Sequence, residues 1–281
     1  MVARVTVLGS GDAFGTPKPG CHVAACAANG VLNTRSRFSL LIQVNGRNLL
    51  VGAAPDLRQQ FIREKISLAS INDIFLTHVH YDQTGGLGEF DSIGNRPSIS
   101  VFGNPNDFEE INRRFSHLFE KKRFVFKPVD INKTITSDHF SVTPFELNHH
   151  HCPCLGFRFV IDNKVIVIAV DTNASLPATS LELMLGADVL FLDGMAETTR
   201  EILLAKRDLS QKTDAEFKAT VDANKRGHML ISEAINLSKK LKAKTTILTH
   251  ICHFNSPHEE LAARYETRGV RIGYDGMAVN V

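Results

Sequence analysis

Hydrophobic positions along this chain follow two rhythms. Short runs alternate or are wholly apolar, as strands require; between them, apolar residues return every three or four positions, as on one face of a helix. Arg4 to Leu8 is the first predicted strand, and it runs into the glycine-rich loop Gly9-Ser10-Gly11-Asp12. Phe38 to Val44 and Asn48 to Val51 read as a hairpin across Asn45-Gly46, a dipeptide suited to a two-residue turn. Pro55-Asp56 opens a helix to about Glu64, Ile74 to Leu76 reads as a buried strand, and Ser98 to Phe102 as another. An amphipathic helix is predicted over Asp107 to Lys121, then strands over Phe124 to Phe126, Phe140 to Glu146, Phe157 to Ile161 and Val165 to Val170. The second half alternates: helix near Leu181 to Leu185, strand Val189 to Leu192, helix Ile231 to Leu241, strand Thr245 to Leu248, helix from Pro257. Val270 to Ile272 and Ala278 to Val281 are closing strands. Meandering strand pairs followed by strand–helix alternation predict an α/β architecture of two packed sheets with helices outside. No linker or repeat divides residues 1–281, so a single domain is expected, with the polar stretch 198–227 as a lid or insertion.

Composition narrows the function classes. The chain has 281 residues, 43% hydrophobic, with a formal net charge of +2, so no general affinity for nucleic acid or membrane follows. The longest aliphatic run, residues 165–170, is far too short to span a bilayer. The N-terminus lacks the apolar stretch of a signal peptide, which makes the cytoplasm the expected location and reduced thiols the expected state of the five cysteines. Twelve histidines are present, and their clustering matters more than their number.

Five places offer metal ligands, each at or near an element boundary. His78-Val79-His80-Tyr81-Asp82-Gln83 follows the strand ending at Leu76 and puts two imidazoles on one side with a carboxylate beyond them. His149-His150-His151 follows Phe145 to Asn148, Asp171 follows residues 165–170, His250 follows Thr246 to Thr249, and His228 precedes a helix. Singly, each has a simpler reading as a hydrogen-bonded histidine or a turn-capping aspartate. Together they predict a centre in which mixed imidazole and carboxylate ligands hold a water-activating ion, for which zinc, manganese and iron are all suited.

Those residues resemble the metallo-β-lactamase superfamily of hydrolases. The resemblance extends through Leu8 to Ala13, Gly20-Cys21 with Cys26, Pro55 to Gln60, Thr77 to Gly86, Leu147 to His149, Asp171-Thr172, His228-Met229, Leu248 to His250 and Tyr274 to Met277. It is strongest to the branch of the carbon–phosphorus lyase pathway phosphodiesterase, with ribonuclease Z more distant. The resemblance implies an αββα sandwich with one or two divalent ions, zinc or manganese, at one edge. It places His78, His80 and His149 on a first ion, with Asp171 bridging. Asp82, Asp171, His250 and residue 83 fall on a second. His150 is a rival to His149. Of the implied catalytic residues, His228 protonates the leaving oxygen, and Asp82 doubles as a ligand. A structural zinc is implied at Cys21, Cys26 and His253; because Val23 stands where the branch has a cysteine, either His22 is the fourth ligand or the site is three-coordinate or empty.

Two departures from the family pattern concern the second ion. Gln83 stands where a histidine is usual, and Gly52 where an aspartate would support a ligand. The expectation is a normal first ion and a second that binds weakly or not at all. The implied function is a phosphodiesterase acting on a small cyclic phosphate or nucleotide. The alternatives are a ribonuclease Z-like hydrolase, disfavoured by near-neutral charge, and a degenerate one-metal or non-catalytic binding relative. A homodimer is compatible with the sequence.

Overall fold

The computed structural model describes residues 3–94, 97–149, 152–199 and 227–281. His150, His151 and residues 200–226, most of the expected lid, lie outside the described residues.

The described chain forms two seven-stranded sheets. The first has the order β14-β1-β2-β3-β4-β5-β6: β1 Arg4–Gly9, β2 Ser39–Val44, β3 Arg47–Val51, β4 Ile71–Phe75, β5 Ile99–Gly103, β6 Phe124–Pro128 and β14 Ala278–Asn280. The second runs β13-β12-β11-β10-β9-β8-β7: β7 Ile135–Thr136, β8 Ser141–His149, β9 Cys152–Ile161, β10 Lys164–Ala169, β11 Val189–Asp193, β12 Thr245–Thr249 and β13 Arg271–Ile272. Each sheet is antiparallel on one side and parallel on the other, the change falling at the β3/β4 pair and the β10/β11 pair. The β2–β3 hairpin forms as predicted, with both Asn45 and Gly46 at positive φ.

Alternation sorts the strand residues into layers. Val5, Val7, Leu40, Ile42 and Phe75 from the first sheet meet Phe157, Phe159, Ile166, Ile168 and Phe191 from the second in a core between the sheets. Phe75 stacks on Phe102 at 4.7 Å and meets Phe159 edge-on at 5.1 Å, so the layers interlock at the strand that leads into the site. Outside the first sheet, Leu41, Leu50 and Ile74 pack on Leu57 and Phe61 of the helix Leu57–Glu64 and on Ile111 and Leu118 of the helix Phe108–Glu120. Outside the second, Leu190, Leu192 and Leu248 pack on Ile231, Ala234 and Ile235 of the helix Ile231–Leu241 and on Leu261 of the helix His258–Tyr265. The αββα arrangement is therefore present.

The closing strand β14 pairs with β1, and Asp275 just before it binds the N-terminal segments together. Its carboxylate accepts from Ser10 N and Oγ, from Ser36 N and Oγ, and from Arg63 Nη1. The tetrad from Tyr274 to Met277 thus works here as a clasp on the glycine-rich loop after β1.

Candidate metal centre

The C-terminal ends of strands deliver the site: β4, β10 and β12 from the parallel parts of the sheets, where open α/β sheets place chemistry, and β8 from an antiparallel part. After β4 the chain leaves the sheet through Thr77, His78 and His80 and enters the short helix Tyr81–Thr84, which carries Asp82 and Gln83. On the other sheet His149 is the last residue of β8, Asp171 follows β10 and His250 follows β12. Asp171 and His250 both adopt positive φ, at 61° and 62°. Non-glycine residues are held in that region only when their surroundings over-determine them, and here two proposed ligands share the strain.

The histidines His78, His80 and His149 converge. His78 Nε2 lies 2.8 Å from His80 Nδ1, which is 3.4 Å from His149 Nε2. The outward nitrogens of two of the rings have partners: His78 Nδ1 lies 3.1 Å from Thr77 Oγ1, and His149 Nδ1 is 3.0 Å from the carbonyl of Gly227. Such outer contacts fix ring orientation and aim the inner nitrogen at the space a metal would take. Burial lowers His78 to about 3 and His149 to about 4, against the pull of Asp171, so both stay neutral at physiological pH, the form that ligates. Three ring nitrogens facing one another have no mutual stabilisation unless a proton or cation sits among them. The donor set fits a divalent ion.

Asp82, Asp171 and His250 form a neighbouring set, with all ligand atoms within 4.8 Å. His250 Nε2 stands 3.0 Å from Asp171 Oδ1 and 3.9 Å from Asp82 Oδ2, yet neither buried ring nitrogen of His250 makes an aligned hydrogen bond. Burial alone would lower the His250 pKa, but Asp171 and Asp82 hold it well above its ordinary value. The same contacts hold Asp82 below the usual carboxylate range and Asp171 well below it, against burial. Gln83 is fully buried beside them. Asp12, from the loop after β1, is also fully buried, with Oδ1 accepting from Phe14 N and Gly15 N and Oδ2 unpartnered. Burial pushes Asp12 up to about 7, against the pull of His250.

His228 stacks on His250 at 4.9 Å and meets His149 edge-on at 5.0 Å. Its Nδ1 bonds Asp193 Oδ2 at 2.9 Å, which turns Nε2 away from that carboxylate. Asp193 also accepts from Thr172 N, Met195 N and Met229 N, so four donors fix it. Burial pushes it up to about 7, with His250 and the backbone donors opposing. The reading of the chain by periodicity passed over Asp193. The signal was available, because it follows the apolar run of β11 as Asp171 follows that of β10.

Of the second, cysteine-bearing set, Cys21 and Cys26 lie in side-chain contact, without His22 beside them. His22 is exposed, and the clusters whose ligand atoms lie within 4.8 Å of one another include none of Cys21, His22, Cys26 and His253. Cys26 Sγ accepts from Lys18 N, while His253 is buried among Phe14 and Phe254 with neither ring nitrogen bonded. The expectation that His22 completes a four-ligand zinc site finds no support in this geometry.

Comparison with known proteins agrees with the fold. The profile of the beta-lactamase superfamily domain matches residues 47–251. An octanoyltransferase of Porphyromonas gingivalis is 25% identical over 98% of this chain, which spans 51% of that protein's length. A ribonuclease Z of Alkaliphilus oremlandii is 24% identical over 99% of this chain and 98% of its own. Among solved structures, a diphosphatase from the PhnP family superposes with a TM-score of 0.81 at 26% identity, covering 100% of this chain and 98% of its own. With the profile spanning most of the sandwich and the ligand sets on its strand ends, the chain belongs to the beta-lactamase superfamily.

Proposed function

We propose that this chain is a metal-dependent hydrolase of the phosphodiesterase type acting on a small phosphodiester, with His228 as the proton donor to the leaving oxygen. The observation that carries the reading is the adjacency of two devices: the convergent nitrogens of His78, His80 and His149, and the Asp193–His228 pair beside them. A divalent ion in that donor set supplies Lewis acidity toward a phosphoryl oxygen and toward water. The rest falls to the protein. Asp193 holds the proton on His228 Nδ1 and so selects the orientation in which Nε2 faces the reacting group. His228 in its protonated form then gives its Nε2 proton to the departing alkoxide, a transfer that separates the leaving group without a free alkoxide forming. Asp171 is fixed by His250 on one oxygen and by Gln83 on the other, so the negative wall of the site cannot turn toward the substrate phosphate. A cavity of about 450 Å³ opens beside His149, lined by Asn104, Asn148, Cys152 and Ser175 among the described residues, and offers room for the ester substituents.

The likeness to a diphosphatase of the PhnP family supports hydrolysis at phosphorus, and the near-neutral charge of the chain supports a small substrate over an RNA. The test is turnover of bis-p-nitrophenyl phosphate and of cyclic nucleotides with added zinc or manganese. Activity lost in His80→Ala is expected; absence of turnover of every phosphodiester with either metal would overturn the reading. Retardation of tRNA in a gel at moderate salt, with cleavage at its 3′ end, would move the substrate class to RNA.

A further inference from the structure

We propose that the Gln83 side chain replaces a second cation. Admitted by the missing side chain of Gly52, its amide ties Asp82 to Asp171 and restricts the centre to a single metal ion at His78, His80 and His149. The inference rests on the hydrolase reading only for the presence of that one ion.

The geometry is specific. Gln83 Nε2 lies 3.1 Å from Asp82 Oδ2 and 3.0 Å from Asp171 Oδ2, so its two N–H groups donate into the two carboxylates of the second ligand set. Those carboxylates are where a second ion would have to bind, with His250. An amide nitrogen offers no lone pair to a metal, and its hydrogens would point at any cation placed between the oxygens. The donor arrangement therefore does electrostatically what a cation would do, in place and without one. With His250 against Asp171 Oδ1, both oxygens of Asp171 are taken.

The far end of the amide shows why position 52 matters. Thr77 Oγ1 donates to Gln83 Oε1 at 3.4 Å, which favours oxygen outward and nitrogen toward the carboxylates. A Cβ on residue 52 would fall 2.8 Å from that oxygen, closer than real Cβ contacts come. Gly52 cannot swing aside, because its N–H bonds the carbonyl of Phe75 and the next residue, Ala53, donates to the carbonyl of Gln83. Any side chain at 52 would push the amide out of its place. Its φ of +70° is a second reason for glycine there. The two departures from the family pattern are thus one device: the small residue makes room for the long one.

The experiment uses the full chain, stripped with chelator and titrated with Mn²⁺ by calorimetry. Metal content after dialysis and the electron paramagnetic resonance spectrum are then recorded. A single retained equivalent with an uncoupled Mn²⁺ spectrum is expected. Gln83→Glu keeps the shape and turns the donor into a third carboxylate, so it is expected to gain a second equivalent and an exchange-coupled spectrum. Two equivalents in the unmodified protein, none at all, or a Gln83→Glu protein that still holds one would each overturn the proposal. Turnover measured on the same samples separates the two conclusions. One equivalent without phosphodiester hydrolysis refutes the hydrolase reading and leaves this one standing; two equivalents with hydrolysis does the reverse.

Discussion

Asp12→Asn isolates what a buried charge costs beside this centre. Asp12 is fully buried, its Oδ1 already accepts two backbone N–H groups, and its Oδ2 has no partner. Asparagine keeps the accepting oxygen and puts its NH₂ where no donor is displaced. Burial lifts the carboxyl from 3.8 to about 7 in the folded protein. An acid whose folded pKa is raised contributes stability below its unfolded pKa and loses it as pH climbs to the folded one. Between those values the unfolded chain has released a proton that the folded chain retains, so stability falls by about 1.4 kcal/mol for each pH unit, about 4 kcal/mol in all. The variant has no such titration. Its advantage over the parent is expected to be near zero at pH 4, to grow through pH 7 and to level off at about 4 kcal/mol by pH 8. Urea unfolding of metal-stripped protein followed by far-ultraviolet circular dichroism measures this, since the chain has no tryptophan to report by fluorescence. A difference that stays constant with pH, or a variant less stable at pH 8, would show that Asp12 does not bury its charge. The substitution also removes the carboxylate that pulls on His250, so the gain in stability is expected to accompany weaker metal retention, the usual exchange at a functional site.

Asp193→Asn replaces an acceptor of four hydrogen bonds with a group that serves only part of them, and neutralises the partner of His228. A fall in kcat of about 10²- to 10⁴-fold with unchanged metal content is expected from loss of the oriented acid; a lost metal equivalent would instead make Asp193 a ligand. Gly156→Ala puts a Cβ 2.4 Å from the Phe145 ring and 3.0 Å from the Ile168 carbonyl. Thermal unfolding should show a loss of about 1–3 kcal/mol, as for overpacked cores, and an unshifted midpoint would mean that the ring has another place to go.

Periodicity revealed the layers and hid some of the edges. The β2–β3 hairpin and the helix Ile231–Leu241 were legible because a turn dipeptide or a long amphipathic pattern marks each of them. β4 was expected only over Ile74 to Leu76 but spans Ile71–Phe75, because Asn72 and Asp73 mask its start; Leu76 N–H still bonds the Phe102 carbonyl just past the strand's end. β9 begins at Cys152 rather than Phe157: its first residues have no alternation and owe their conformation to pairing with β8. The ligand types at strand ends could be read directly, since their spacing follows from the strands. What Gln83 does could not, because the direction of an amide is set by Thr77, Asp82 and Asp171, brought together only by folding. The place of His22 could not be read for the same reason: with no strand behind Cys21 and His22, spacing carries no geometry, and His22 is exposed.

That the centre is shared between the two sheets has a consequence for how the protein is made. His78 and His80 leave one sheet and His149 the other, and His80 and His149 are 69 residues apart in sequence. An ion bound there is a non-covalent staple across the seam of the sandwich, and it closes a loop whose entropy the unfolded chain would otherwise keep. If His78, His80 and His149 hold the ion, all of its ligands have left the ribosome long before His250 does. A nascent chain could then capture its metal while the far half of the second sheet is still unsynthesised, with the Gly227 carbonyl fixing the His149 ring later. Metal supply during translation, and not only afterwards, would then set the yield of native protein.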